Sequence, residues 1–173
     1  GDTGVAAADI NDAIETTLQV ARNEYKYHVD IIKDLGDLPP VECWIGDLNQ
    51  VFLNLLVNGT HAIRDRLGEH SGDRGTIHIS TRQDGDFVEM RFRDSGTGIP
   101  EAARAHIFEQ FYTTKEICKG TGLGLAIARA VVVEKHGGEI RFETELGEGT
   151  TFIVRIPVTH VPIEVEHDVD PVR

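Results

Sequence analysis

Residues 94–125 read DSGTGIPEAARAHIFEQFYTTKEICKGTGLGL: two glycine clusters separated by a polar segment that carries threonines and lysines. The second cluster leads straight into an apolar run rich in alanine and valine. Glycine tolerates positive φ and lets the main chain approach a ligand, so that N–H groups meet phosphate oxygens where side chains would intervene. A helix that starts at the second cluster adds unpaired N–H groups and the positive end of its dipole. Either cluster alone reads as ordinary loop glycine between a strand and a helix. Two of them around one covering segment, residues 113–120, describe a nucleotide pocket with a movable lid.

The flanks supply the frame. Before the stretch, residues 76–81 and 87–93 alternate apolar and polar around an Asp84-Gly85-Asp86 turn, a β-hairpin that leaves Asp94 at the C-terminal end of a strand. After it, residues 123–136 carry helical periodicity closed by Gly137-Gly138, and a second hairpin, 139–144 with 150–157, is joined through Gly147 and Gly149. Nearer the N-terminus, Ile10, Ile14, Leu18 and Ala21 recur at helical spacing behind Asp9, which predicts a capped helix over 9–25. Strands are expected at 28–35 and 41–44, on either side of Pro39-Pro40. A helix over 47–67 is expected to start at Asp47, with Gln50 as its capping-box partner. Irregular alternation of helices with antiparallel hairpins predicts an α/β two-layer sandwich (α+β), one mixed β-sheet with helices packed on one face. The domain is expected to occupy residues 1–157. Residues 158–173, with Glu164, Glu166 and Asp168 between prolines, read as an acidic tail or linker.

Composition narrows the function. The 173 residues include 29 acidic and 17 basic side chains, a net charge of -12. Such a surface repels phosphate backbones and excludes nucleic acid as a partner. A polyphosphate must then be met by local donors and a metal. Cys43 and Cys118 are far apart and lack CxxC spacing, which argues against a zinc site or redox pair and for a reduced, cytoplasmic setting. No apolar run approaches the roughly twenty residues needed to span a bilayer.

Two carboxamides, Asn54 and Asn58, lie one turn apart on the 47–67 helix, in an otherwise apolar segment. Burying either without a partner costs about 1–3 kcal/mol. They either bond to neighbouring backbone or turn their carbonyl oxygens toward Mg2+ and the phosphates it carries, a hard-oxygen environment suited to that ion. His61, a turn further on, is either a partly exposed helix residue or a phosphate donor. Asp94 either closes an Asx-type turn or accepts a hydrogen bond from an exocyclic amine such as that of adenine. GTGLGL lacks the Gly-Lys-Thr of a P-loop and does not follow a strand, which excludes the P-loop and the dinucleotide fingerprint.

In order along the chain, NQVFLNLLVNGTHAI (49–63), DSGTGIP (94–100), IFEQFYTTK (107–115), GTGLGL (120–125) and GEGT (147–150) resemble the N, G1, F, G2 and G3 boxes of the catalytic and ATP-binding domain of sensor histidine kinases. Chance agreement of five ordered motifs is remote, and the resemblance covers roughly residues 9–157. That family belongs to the GHKL ATPases, with DNA gyrase, the mismatch-repair ATPases and the ninety-kilodalton heat-shock chaperone, and implies their Bergerat-type fold. The resemblance implies ATP and Mg2+ as ligands, with Asn58 as the principal metal ligand and Asn54 beside it. Asp94 would read the adenine amine, with Gly96 and Gly98 letting the base approach and Ile99, Phe111, His61 and Thr150 around the nucleotide. Lys119, Gly120, Thr121, Gly122, Leu123, Gly124 and Leu125 would wrap the phosphates. Lys115 is either an exposed lid lysine or a group that reaches the terminal phosphate.

The resemblance further implies transfer of the γ-phosphate to a histidine on a separate dimerisation domain, then to a response-regulator aspartate. The parent would be a homodimer and the fragment a monomer. Hydrolytic relatives carry a glutamate in the place of Asn54, and an amide cannot serve as that general base. Two other readings stay open: a nucleotide-sensing module without transfer, and a serine kinase of the anti-sigma type.

Overall fold

A computed structural model describes residues 4–68, 71–110 and 124–160. Its main sheet has five strands in the order β2-β4-β5-β7-β6, namely β2 (Val29–Leu35), β4 (Gly75–Asp84), β5 (Phe87–Asp94), β7 (Gly149–Pro157) and β6 (Glu139–Glu145). β2 and β4 run parallel and every other pair antiparallel, so the sheet is mixed as expected. A separate two-stranded ribbon joins β1 (Ala6–Ala8) to β3 (Val41–Cys43), where one sheet was expected. The three alanines of β1 have no alternation, which hides that strand from the sequence.

Period-2 alternation gives the sheet two different faces. Ile77 and Ile79, then Val88, Met90 and Phe92, then Phe152, Val154 and Ile156 are all buried on the face that the helices cover. Above them lie α1 (Ile10–Val20), the single turn α2 (Arg22–Tyr25), α3 (Ile45–Leu67) and α4 (Gly124–Arg129). The expected helix over 9–25 is broken at Ala21, and Asp9 caps α1 by accepting the Asp12 N–H at 3.0 Å. α3 brings Leu48, Val51, Phe52, Leu55, Leu56 and Ile63 to the core, and Phe52 stacks on Phe92 with centroids 5.9 Å apart.

Two helix readings need correction. α3 begins at Ile45 with Trp44 as its N-cap, so Asp47 sits in the first turn and pairs with Lys135 instead of capping. Entry from β3 at Cys43 leaves no residues for a cap at Asp47. The expected single helix over 123–136 is α-helical only through Arg129 and then widens to a π-type coil over Ala130–Lys135. Three consecutive β-branched residues, Val131 to Val133, sit there and crowd a regular helix. Gly137 (φ +67) ends it as expected.

The opposite sheet face is a lattice of charge. Glu89 is 2% exposed, with Arg82 Nε 2.8 Å and Arg91 Nε 3.0 Å from Oε2 and Arg155 3.9 Å from Oε1. The hydrogen bond from Arg82, supported by Arg91, outweighs burial and pulls the Glu89 carboxyl down to about 2. A depressed carboxylate contributes stability that is present above its unfolded pKa and lost as pH falls through the folded one. Glu89→Gln is therefore expected to cost roughly 2 kcal/mol at pH 7 and to flatten the loss of stability between about pH 4.5 and 2. Urea unfolding at a series of pH values measures both.

Candidate functional site

The site is built where α3 meets the end of β5. Asp94, 5% exposed, points from the last residue of β5 toward α3, and the α3 residue facing it is Gly59. A Cβ at Gly59 would stand 3.2 Å from Asp94 Cβ and 3.1 Å from Ile77 Cδ1. The missing side chain lets the helix settle onto the strand end. Asp94 Oδ1 accepts the Gly96 N–H at 2.9 Å, so the Asx-type contact anticipated for a lone Asp-x-Gly is present. Burial is the larger influence and raises the carboxyl to about 6, against the opposing pull of the Gly96 and Thr150 backbone amides.

The loop after Asp94 is clamped onto the turn between β6 and β7. Gly98 adopts φ +78, and a Cβ there would lie 2.5 Å from the Glu145 carbonyl oxygen, so both conformation and space require glycine. Ile99 N–H donates to Thr144 Oγ1 at 2.9 Å, and Gly147 N–H donates to the Thr97 carbonyl at 2.9 Å. Thr144 Oγ1 also donates to the Gly149 carbonyl at 3.1 Å and lies 2.8 Å from Thr150 Oγ1. Thr144 was not singled out in the sequence, because one threonine in an alternating strand carries no local signal. Beyond Pro100, Ile107 is buried and Phe108 packs against Phe142 and Phe152, centroids 6.1 and 6.4 Å away.

Of the two carboxamides, Asn54 is engaged at both ends. Its Nδ2 donates to the Gly124 carbonyl at 3.0 Å, and its Oδ1 accepts Gln50 Nε2 at 2.7 Å. The start of α4 is thereby fastened to the middle of α3. Asn58, half-buried one turn on, has no hydrogen-bond partner among the described residues. His61 follows on the same helix, half-buried. Leu125 is half-buried at the start of α4 and packs against the core. Phe111, Lys115, Lys119, Gly120, Thr121, Gly122 and Leu123 lie outside the described residues. Among the described residues no group of three or more His, Cys, Asp or Glu side chains is placed to hold a metal ion. A cation here would be held by amide oxygen together with oxygens of its own ligand, a donor set suited to a hard divalent ion.

A concavity of about 450 Å³ lies between β4, β5 and the β6–β7 turn, lined by His78, Arg91, Arg93 and Thr151 among others. Those side chains alternate with buried Phe92 and Phe152 and belong to the charged face, and at the strand end Asp94, Thr144 and Thr150 also line the concavity.

Residues 45–160 match the family described as histidine kinase-, DNA gyrase B-, and HSP90-like ATPase. The chain is 38% identical over 129 residues to the sensor kinase CckA of Brucella abortus (strain 2308), an alignment covering 70% of this chain and 13% of CckA. The chain belongs to this family, as a sensor histidine kinase catalytic domain. A nucleotide-free form of the catalytic domain of histidine kinase ThkA superposes on the domain with a TM-score of 0.76 at 30% identity, covering 90% of this chain and 98% of that one. ThkA in complex with the response regulator protein TrrA superposes with a TM-score of 0.71 at 27% identity, over 90% of this chain and 42% of that one. The domain spans 13–31% of the length of the first curated relatives it matches. No helix among the described residues is long and apolar enough to cross a membrane.

The raised Asp94 carboxyl has a sign that can be checked. A group whose folded pKa is raised contributes stability below its unfolded pKa, and that contribution is lost as pH rises through the folded value. A shift from 3.8 to about 6 corresponds to about 3 kcal/mol against the ionised form. Asp94→Asn, which keeps an acceptor for the Gly96 N–H, is expected to raise the stability of the ligand-free domain by up to about 2–3 kcal/mol at pH 8 and by little at pH 4. Thermal unfolding of both proteins across that range tests it.

Proposed function

We propose that this domain binds ATP with Mg2+ in the space framed by α3, the Asp94–Pro100 loop and the start of α4, and presents the γ-phosphate to a histidine on a separate dimerisation domain. The observation that carries the reading is the buried Asp94 carboxylate standing beside the α3 face that also bears Asn58, whose carboxamide has no partner among the described residues. Asp94 accepts the adenine amine, and its tight seat against Gly59 fixes where the base must lie. Asn58 turns its carbonyl oxygen to the metal, with Asn54 next to it. Gly96, Gly98, Ile99, Thr150 and His61 border the nucleotide, with Phe111 from the lid.

Bound Mg2+ supplies charge neutralisation at the phosphates. The chain's own part is positioning. Gly120, Thr121, Gly122, Leu123, Gly124 and Leu125 offer main-chain N–H groups at a helix start, and Lys115 and Lys119 offer cations from the lid. Asn54 has no basic site, so it cannot take a proton from water, and transfer to another group is favoured over hydrolysis. Its bond to the Gly124 carbonyl instead couples the α3 wall to the phosphate-binding segment.

The acceptor histidine lies on another domain of a parent homodimer, and a response-regulator aspartate takes the phosphoryl group afterwards, all on the cytoplasmic side. The naming of a response regulator as the partner of ThkA supports that kind of partner. The net charge of -12 supports a protein partner over nucleic acid.

Incubation with γ-labelled ATP and a separately produced acceptor hairpin is expected to give an acid-labile phosphohistidine. Acid-stable label would point to a serine kinase, and ATP binding with no transferred label to a sensing module. Asn58→Ala is expected to abolish the Mg2+-dependent part of ATP binding, by about tenfold or more in Kd. Calorimetric titration with and without Mg2+ measures it, and unchanged affinity removes the metal assignment. Asp94→Asn is expected to weaken ATP and narrow its advantage over GTP.

A further inference from the structure

Among the described residues, two hydrogen bonds between a side chain and the main chain tie together the helices that frame the proposed site. One is the Asn54–Gly124 bond. The other lies at the far end of each helix, where Trp44 N–H, at the start of α3, donates to His136 Nε2 at 3.1 Å, while His136 Nδ1 lies 2.9 Å from the Val131 carbonyl oxygen. A ring nitrogen that accepts from a main-chain N–H carries no proton, and one that faces a carbonyl must carry one. Geometry therefore fixes His136 as a neutral imidazole with its proton on Nδ1. The ring is 3% exposed and stands edge-on to Trp44, centroids 5.2 Å apart. Burial lowers its pKa, in agreement with the neutral state.

The surrounding charges close the arrangement from every side. Lys135, on the same coil, pairs with Asp47 of α3 and sits 4.9 Å from the Trp44 ring centroid. His160, after β7, also stands edge-on to Trp44, centroids 4.7 Å apart, and donates its main-chain N–H to Glu42 of β3. Trp44 N–H is the one donor at the start of α3 that a side chain from the opposing helix reaches among these contacts, and no side-chain cap replaces it.

We propose that His136 is a positioning residue for nucleotide binding: its neutral imidazole is the strut that holds the start of α3 against the end of the widened helix and so sets the gap at the Asn54–Gly124 end. The proposal rests on the reading of that gap as the nucleotide site. Two substitutions separate the strut from mere filling of space. In His136→Gln the amide oxygen lies as many bonds from Cα as Nε2 does and can accept Trp44 N–H. In His136→Asn the amide nitrogen replaces Nδ1 toward Val131, and nothing reaches Trp44.

The test uses the 173-residue chain and reads three quantities: Kd for ATP with Mg2+, the NMR positions of the Asn54 side-chain amide and Gly124 N–H, and the unfolding midpoint. His136→Gln is expected to keep Kd within about twofold and the Asn54 resonances in place, while folded His136→Asn weakens ATP about fivefold and moves them. A folded Asn variant with wild-type Kd and unmoved Asn54 resonances overturns the proposal, as does a Gln variant equally impaired. If the wild-type chain binds no ATP, the nucleotide reading fails, and the strut is judged on the Asn54 and Gly124 resonances alone. If His136→Asn does not fold, acid titration in an Asp94→Asn background decides: the Asn54 amide must shift together with His136 protonation, and its indifference to that titration overturns the proposal.

Discussion

The close seat of α3 on the end of β5 is the contact from which the site follows. Where Gly59 meets Asp94 there is no side chain on the helix, so the helix backbone descends until it nearly touches the strand. That descent buries a carboxylate with few compensating donors, and its raised pKa registers the cost. It also brings the α3 face carrying Asn58 beside the same carboxylate. A bulkier residue at 59 would lift the helix and separate the two groups.

The rest of the domain holds that contact in place. The Asp94–Pro100 loop is tied through Ile99 and Thr97 to the β6–β7 turn, so the far wall of the site is fixed by strands that arrive more than forty residues later. On the helix side, Asn54 fastens the start of α4, and His136 fastens the end of the widened coil that follows it. Below, Glu89 and its arginines occupy the face that no described helix covers. A sheet with one greasy face and one charged face has only one way to take up its helices, and the register of Asp94 opposite Thr150 then follows.

Much of this is legible in the sequence. Alternation identified the strands of both hairpins, and helical spacing identified α1 and α3, because burial on one face imposes those periods. Asn54, Asn58 and Asp94 stood out as polar groups in apolar surroundings or at a strand end. What escaped was non-local. β1 has no pattern of its own and exists because β3 pairs with it. The true start of α3 depends on how β3 delivers the chain. Thr144 matters only because the loop holding Ile99 folds back to it.

By itself the sequence determined the α/β class, the ordered glycine and asparagine motifs, and the absence of a carboxylate general base at position 54, since each of these depends on residue type and spacing alone. Only the tertiary structure decided that Asn54 spends its amide on Gly124, that Gly59 is the residue against Asp94, and that His136 reaches the start of α3. These are pairings between segments distant along the chain, and a hydrogen bond or a van der Waals contact of that kind has no signature until the backbone has closed the distance.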